Sequence, residues 1–178
     1  MLYPGIVAQI EEANKMDYKD IQRVNSEIEM IDMKGKDYAM VPERITAFRK
    51  LYPEGFITTE IVAMEGPVVL MKAKAGYYRE DGSEVVLATG MAREERGKGM
   101  VNTTSHIENC ETSAVGRALG MMGLGINGGG VCSAEELVNA ISAQKQIAEE
   151  ERREVKKAND ATKGKNIGGV VTADTIPF

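Results

Sequence analysis

The chain has 178 residues, of which 43% are hydrophobic, and a formal net charge of -5 at pH 7. This length and composition allow one globular domain of ordinary size with additional ends, and they exclude two full domains. No run approaches the roughly twenty apolar residues that span a bilayer, and nothing near Met1 has the order of a signal peptide, so we expect a cytoplasmic protein without membrane contact.

The charge is unevenly distributed along the chain. Residues 1–33 carry 3 basic and 7 acidic side chains, whereas residues 34–125 carry 12 of each. Phosphate contact depends on how charge is distributed over the surface rather than on its sum. The negative net charge therefore does not exclude a nucleic-acid partner.

The first elements in chain order are predicted to be helical. Apolar residues recur at mixed threes and fours between Ile6 and Ile31, which indicates an amphipathic helix, with one break allowed, over an N-terminal segment of residues 1–33. Pro42 suits the first turn of a short helix from Glu43 to Leu51. Proline has no backbone N–H, but in the first turn of a helix this group would have no partner within the helix.

Three strands are predicted next. Residues 56–64, 68–78 and 84–93 are rich in β-branched and aromatic residues, and turn-forming residues separate them. Strands joined by such short turns pair as neighbours, and helices must cover at least one face of the sheet. The predicted fold class is α+β, a three-stranded antiparallel β-meander packed with helices.

Two capping boxes predict the helices that follow. Ser105 with Glu108 opens one helix, which has an apolar stripe and a second, polar stripe, and which Gly123 and Gly125 end. The polar stripe consists of His106, Asn109, Ser113 and Arg117. Ser133 with Glu136 opens a long C-terminal helix that becomes strongly charged. We therefore predict an α+β core at 34–158, a flexible linker at 159–172 and a tail at 173–178.

Residues that would support catalysis are scarce. GLGING at 123–128 has the spacing of a dinucleotide-binding loop but follows a helix instead of a strand. His106 is the one histidine, and with Cys110 it supplies only two ligands, too few for a zinc site. Cys110 and Cys132 form no CxxC pair, so they are predicted to be buried thiols. We expect no enzyme activity, no cofactor and no metal.

A basic patch with an aromatic residue is predicted on the meander. Lys72, Lys74 and Tyr78 share one face of the second strand, because side chains two apart point the same way. Arg93, Arg96 and Lys98 follow at the end of the third strand, near the second. Such a patch suits a nucleic-acid backbone and a stacked base. On the pattern alone a solvated outer face explains the same residues, and periodicity does not decide between the two.

The segment ENCETSAVGRALGMMG, residues 108–123, following the meander resembles the phage single-strand annealing proteins, the Erf-like family and its eukaryotic radiation-repair relatives. The resemblance covers roughly residues 40–125. It implies a ring-like homo-oligomer that holds single-stranded DNA in a groove between the meander and the helix, with Arg117 near phosphates. Gly116 and Gly120 occupy positions where relatives often carry further basic residues. This departure from the family leaves the strength of DNA binding and the annealing activity open.

The last residues, Asp174, Thr175, Ile176, Pro177 and Phe178, resemble the C-terminal tip of bacterial single-stranded-DNA-binding proteins. The resemblance implies that Asp174, Ile176, Pro177 and Phe178 dock into basic-rimmed pockets of host replication and repair proteins. An accidental tail ending is the alternative, because only one acidic residue is present in the tip.

The sequence thus predicts a single-stranded-DNA-binding protein of phage replication or recombination, in the host cytoplasm, that promotes annealing and recruits host proteins through its tail. The first alternative is a protein-protein adaptor or anti-host factor without DNA binding. The second is an enzyme that the motifs do not reveal.

Overall fold

The structure, a computed structural model, describes residues 17–33, 35–126 and 130–165, with side chains up to residue 159. The chain is of the α+β class, as predicted. The helices are α1 (Tyr18–Asn25), α2 (Val41–Leu51), α3 (His106–Met121) and α4 (Ala134–Lys165), and Val101–Thr103 forms a 3₁₀ turn. The strands are β1 (Met30–Asp32), β2 (Asp37–Ala39), β3 (Phe56–Glu65), β4 (Val68–Tyr78) and β5 (Glu84–Glu95).

The predicted meander is confirmed. Strands β3, β4 and β5 form an antiparallel sheet in that order, and they begin at the predicted residues. The register pairs Lys74 of β4 with Thr58 of β3 and with Thr89 of β5. Because directly paired residues lie on the same face of a sheet, this register assigns each side chain to one of two faces.

One face of this sheet is covered by α3. Val69, Met71, Ala73 and Ala75 alternate along β4 and are buried in the core with the apolar side of α3. The contact is closest at Gly90, where an added Cβ would lie 2.3 Å from the carbonyl oxygen of Ala114. Gly90 and the small alanines therefore let the helix backbone lie directly on the strands.

Helix α2 is fastened to the rest of the core by Arg44. The guanidinium is fully buried and donates to the carbonyl oxygens of Gly116 at 2.6 Å, Val131 at 2.7 Å and Cys132 at 3.0 Å. Burial lowers the pKa of Arg44 from its usual value, but an arginine stays protonated in proteins. One side chain thus joins α2, α3 and the segment before α4.

The first described helix ends earlier than predicted. Residues 1–16 lie outside the described residues, and α1 ends at Asn25 instead of continuing to Ile31. Residues Met30–Asp32 instead form β1, which pairs with β2. The apolar spacing wrongly predicted a helix up to Ile31. Ile28 packs into the core from a turn, whereas Ile31 lies on a strand and is 41% exposed.

The two predicted capping boxes have different outcomes. At α4 the box forms: Glu136 Oε2 accepts from Ser133 N at 3.0 Å, and Ser133 Oγ accepts from Glu136 N at 3.3 Å. At α3 Ser105 makes no side-chain cap bond. The preceding 3₁₀ turn gives Ser105 a ψ of 42°, outside the extended region that capping residues normally use.

Helix α4 extends beyond the predicted boundary at residue 158 and continues to Lys165. The first part of the predicted linker, residues 159–165, is therefore helical. It continues the helix that precedes it, and no proline interrupts it. The remaining linker and the tail lie outside the described residues. Among the described helices, none combines the length and apolar composition needed to cross a bilayer.

Candidate nucleic-acid interface

The sheet face opposite α3, here called the open face, has Lys72 and Lys74 at its centre. Residues around them on the neighbouring strands, Thr58, Thr89 and Met91, are exposed. The two lysines are two residues apart on β4, so their Cα atoms are about 7 Å apart. This face therefore presents two ammonium groups to solvent from the middle of a rigid sheet.

The two lysines differ in their neighbours. Lys72 Nζ lies 3.7 Å from a carboxylate oxygen of Glu60. Lys74 is flanked across both strands by threonines, Thr58 and Thr89, and has no ion pair within the described part of the chain. Lys74 is therefore the cation of the open face best able to pair with an external anion.

An aromatic pair lies at one end of the open face. The rings of Phe56 and Tyr78 are 5.0 Å apart, and Tyr78 is 51% exposed while Phe56 is buried. Gly76 makes room for Phe56, since an added Cβ would lie 2.7 Å from the Phe56 Cζ atom. Tyr78 thus packs against the buried Phe56 ring, and its own exposed ring lies on the same face as Lys74.

Arg117 lies on the other side of the sheet. It projects from α3, which covers the face opposite the lysines, and its Nε donates to Glu136 Oε1 of α4 at 2.7 Å. The single groove expected to join Arg117 with Lys72 and Lys74 is therefore not present in the described structure. The error arose because strand alternation cannot tell which sheet face a later helix will cover.

Arg117 instead lines a cleft of 520 Å³ between the edge of β5, the end of α3 and the start of α4. The charged residues of this cleft are Arg93, Glu94, Glu95, Lys98, Arg117 and Glu136. Two of the predicted residues, Arg93 and Lys98, accompany Arg117 here. Arg93 also pairs with Leu70 on the open face, so the open face and the cleft meet at the β5 edge.

Each cation of the cleft is paired with a carboxylate. Glu95 lies 3.5 Å from Arg93 and 2.9 Å from Lys98, and Glu136 holds Arg117. The hydrogen bond from Lys98 lowers the pKa of Glu95. Burial raises the pKa of Glu94. The cleft therefore combines cations with carboxylates instead of presenting a purely basic surface.

A chain of hydrogen-bonded asparagines, which the sequence did not predict, borders the cleft. Asn139 donates to Asn109 at 2.7 Å, Asn109 donates to Asn102 at 2.9 Å, and Asn102 donates to Glu94 at 2.5 Å. Asn109 belongs to the polar stripe predicted on α3. That stripe is buried from His106 to Ser113 instead of facing solvent. Within it, Asn109 connects α3 to Asn139 of α4 and, through Asn102, to Glu94 of β5.

The remaining predicted residues lie apart from both surfaces or beyond the structure. Arg96 is exposed in the turn after β5, where its backbone N–H donates to the Pro67 carbonyl. Cys110 is buried, with its Sγ 3.2 Å from the Ala92 carbonyl oxygen, as expected for a core thiol. Cys132, also predicted to be buried, is only half-buried and lines the cleft. The tail residues Asp174, Ile176, Pro177 and Phe178 lie outside the described residues.

One family comparison bears on these surfaces. Residues 45–122, from within α2 to just past the end of α3, match the family described as "Slr1353 N-terminal dsRNA-binding domain-like". No curated protein and no solved structure matches the chain. The matched range contains the whole three-stranded sheet and Arg117 but fewer than half of the residues. Over that range, the chain is similar to a domain family described as dsRNA-binding-like.

Proposed function

We propose that this protein binds nucleic acid without acting on it chemically, and that the open face holds a single strand of DNA. The observation that carries the proposal is the position of Lys74, a cation without a described carboxylate partner at the centre of an uncovered sheet face. Lys72 adds a second charge, and Tyr78 adds an exposed ring. Backbone charge pairing and base stacking on aromatic rings are the two contacts from which single-strand binding is generally built.

The resemblance to annealing proteins supports a role in phage replication or recombination. Strands held on an open sheet face keep part of each base accessible, which annealing requires. The family similarity favours a second candidate, duplex RNA. Proteins recognise duplex RNA largely by shape and by contacts to phosphates and 2′-hydroxyl groups, and lysines on a flat face suit phosphates of either nucleic acid.

A binding titration tests the proposal and separates the candidates. Labelled single-stranded DNA is titrated at ~50 mM and ~200 mM salt, where phosphate contacts make affinity fall with rising salt. Unlabelled duplex RNA and duplex DNA serve as competitors. We expect single strands to bind and to resist both competitors. Displacement by duplex RNA alone would favour the second candidate, and no binding of any nucleic acid at low salt would favour the adaptor.

We also propose that the protein self-assembles through its sheet edges. Among the described strands, β3 and β5 each pair on one side only, and unpaired edges readily accept another strand. Ile61, Val62 and Met64 on β3 are about half exposed. Light scattering should therefore show a large oligomer, and Val62→Lys should reduce its size because a charge on an edge strand opposes pairing.

Val155→Lys is the control for assembly, because Val155 is exposed like Val62, at 60% against 49%, and lies far along α4, beyond the residues that border the β5 edge. Its oligomer should keep the wild-type size. A 19.4 kDa monomer at micromolar concentration, or equal effects of both substitutions, would contradict assembly through the edges.

The tail is proposed to recruit host replication and repair proteins. Deleting residues 176–178 should leave DNA binding unchanged, because the proposal assigns DNA binding to the sheet and partner capture to the tail, and independent sites contribute additively. The deletion should abolish capture of those host proteins, since Pro177 and Phe178 would fill the pocket. Asp174→Lys should weaken capture more at low salt.

The measurement is a pull-down from nuclease-treated bacterial lysate, so that DNA cannot bridge the proteins. Intact and truncated protein are compared side by side. Identical sets of captured proteins would show that the tail is not a docking peptide, and the DNA-binding proposal would be unaffected.

A further inference from the structure

We propose that Glu136 is an autoinhibitory residue, which occupies on Arg117 the place that a nucleic-acid phosphate would take. This inference rests on the nucleic-acid binding proposed above and adds a means of regulating it. In the structure the Arg117 Nε donates to Glu136 Oε1 at 2.7 Å. A carboxylate and a phosphate present the same kind of acceptor to a guanidinium.

The cleft that holds this pair adjoins the open face. Lys72 on β4 pairs across the strands with Met91 on β5, and Met91 also lines the cleft. A strand that leaves the open face over the β5 edge therefore reaches the cleft within one strand spacing, about 5 Å. Arg117, which is 44% exposed there, is the cation that α3 contributes to this path.

The two members of the pair do not depend equally on each other. Glu136 Oε2 also accepts from Ser133 N at 3.0 Å, and a carboxylate in the first turn of a helix is further stabilised by the helix dipole. Arg117 forms no other side-chain hydrogen bond or ion pair with the described residues. When Arg117 leaves, the Glu136 carboxylate thus keeps its hydrogen bond from Ser133 N.

Helix α4 connects this contact to the outside of the molecule. Glu136 lies in its first turn, whereas the side chains of residues 147–159 farther along the helix are exposed. Arg44 and Asn109 hold the start of α4 in place through Val131, Cys132 and Asn139, so a phosphate would release Arg117 by displacing its exposed side chain from Glu136. The start of α4 therefore acts as a brake on binding.

The test compares Glu136→Gln with Glu149→Gln, using fluorescein-labelled oligothymidylate. Gln at the capping position preserves the box with Ser133. Glu149 also pairs with an arginine, Arg153, at 2.9 Å, but on an exposed part of α4 far from the cleft. Both variants remove one negative charge. If Glu136→Gln frees one phosphate contact, affinity rises about eightfold at ~50 mM salt and about threefold at ~200 mM, and the salt slope steepens by ~0.7.

The gain in affinity of Glu136→Gln should depend on the presence of Arg117. In the Arg117→Ala/Glu136→Gln double variant the gain should disappear. Arg117→Ala alone should change affinity less than about twofold, because the brake already withholds this residue, whereas an Arg117 in use would lose about eightfold. This single variant tests the brake even if Glu136→Gln is poorly folded, which its thermal melt would reveal.

Three results would overturn the inference: a Glu136→Gln affinity equal to that of Glu149→Gln, a gain that survives loss of Arg117, or an eightfold loss in Arg117→Ala alone. Each leaves wild-type binding intact. If wild-type protein and all variants fail to bind oligothymidylate, the proposed function itself is wrong.

Discussion

Lys74→Glu should reduce affinity for single-stranded DNA roughly fiftyfold at ~50 mM salt, the largest effect that we expect from any single charge on the sheet. Removing one phosphate contact accounts for about eightfold of this loss, and the new carboxylate adds repulsion of similar size. Lys74 is chosen because threonines flank it and no described carboxylate neutralises it. Lys74→Ala should therefore lose about eightfold and flatten the salt slope by ~0.7.

Lys72→Ala should lose less, because its ammonium must first leave Glu60. The matched control is Lys36→Glu, which makes the same change of charge at an exposed position between β1 and β2. That variant should bind nearly as wild type. Equal losses in Lys36→Glu and Lys74→Glu would mean that overall charge, and not the open face, governs binding.

Arg44→Met should lower the free energy of unfolding by at least about 3 kcal/mol, since each buried acceptor that loses its donor costs about 1–3 kcal/mol. Methionine fills much of the space but cannot donate to Gly116, Val131 and Cys132, whose carbonyls are part of the backbone and stay in place. Because the last two precede α4, the variant should also loosen the wall of the cleft.

Urea unfolding measures this loss as a lower midpoint with an unchanged slope. Arg49→Met is the control, because Arg49 lies on the same helix and is exposed, and its described contacts are local: the backbone carbonyls of residues 53 and 55 and the ring of Phe48. It should cost less than about 1 kcal/mol. Similar losses in both variants would show that the buried hydrogen bonds of Arg44 add nothing to the free energy of unfolding beyond what an exposed arginine of the same helix adds.

Much of the architecture could be predicted because it depends on neighbours in sequence. The strands of the meander begin where the β-branched runs begin, and Gly82 with its positive φ turns the chain between β4 and β5. The alternation along β4 correctly placed Lys72 and Lys74 on a common face. Ser133 and Glu136 are three residues apart, so their capping box required only the local helix.

Other features depended on residues far apart in the chain. Arg44 is an ordinary helix residue in sequence, yet its partners lie 72 to 88 residues away and bury it completely. The polar stripe on α3 has the periodicity of a solvated face, but Asn139 from α4 binds Asn109 and covers it. No local pattern records which element will later pack against such a stripe.

The sequence by itself therefore determined the α+β class, the three strands and the set of cations that lie near them. Only the tertiary structure decided that α3 covers the sheet face away from Lys74, which separates Arg117 from the strand lysines and places it beside Glu136. The physical reason is that periodicity specifies which side chains share a face, whereas the choice between two faces depends on packing. Here Gly90 and the small alanines of β4 admit the helix backbone on one side alone.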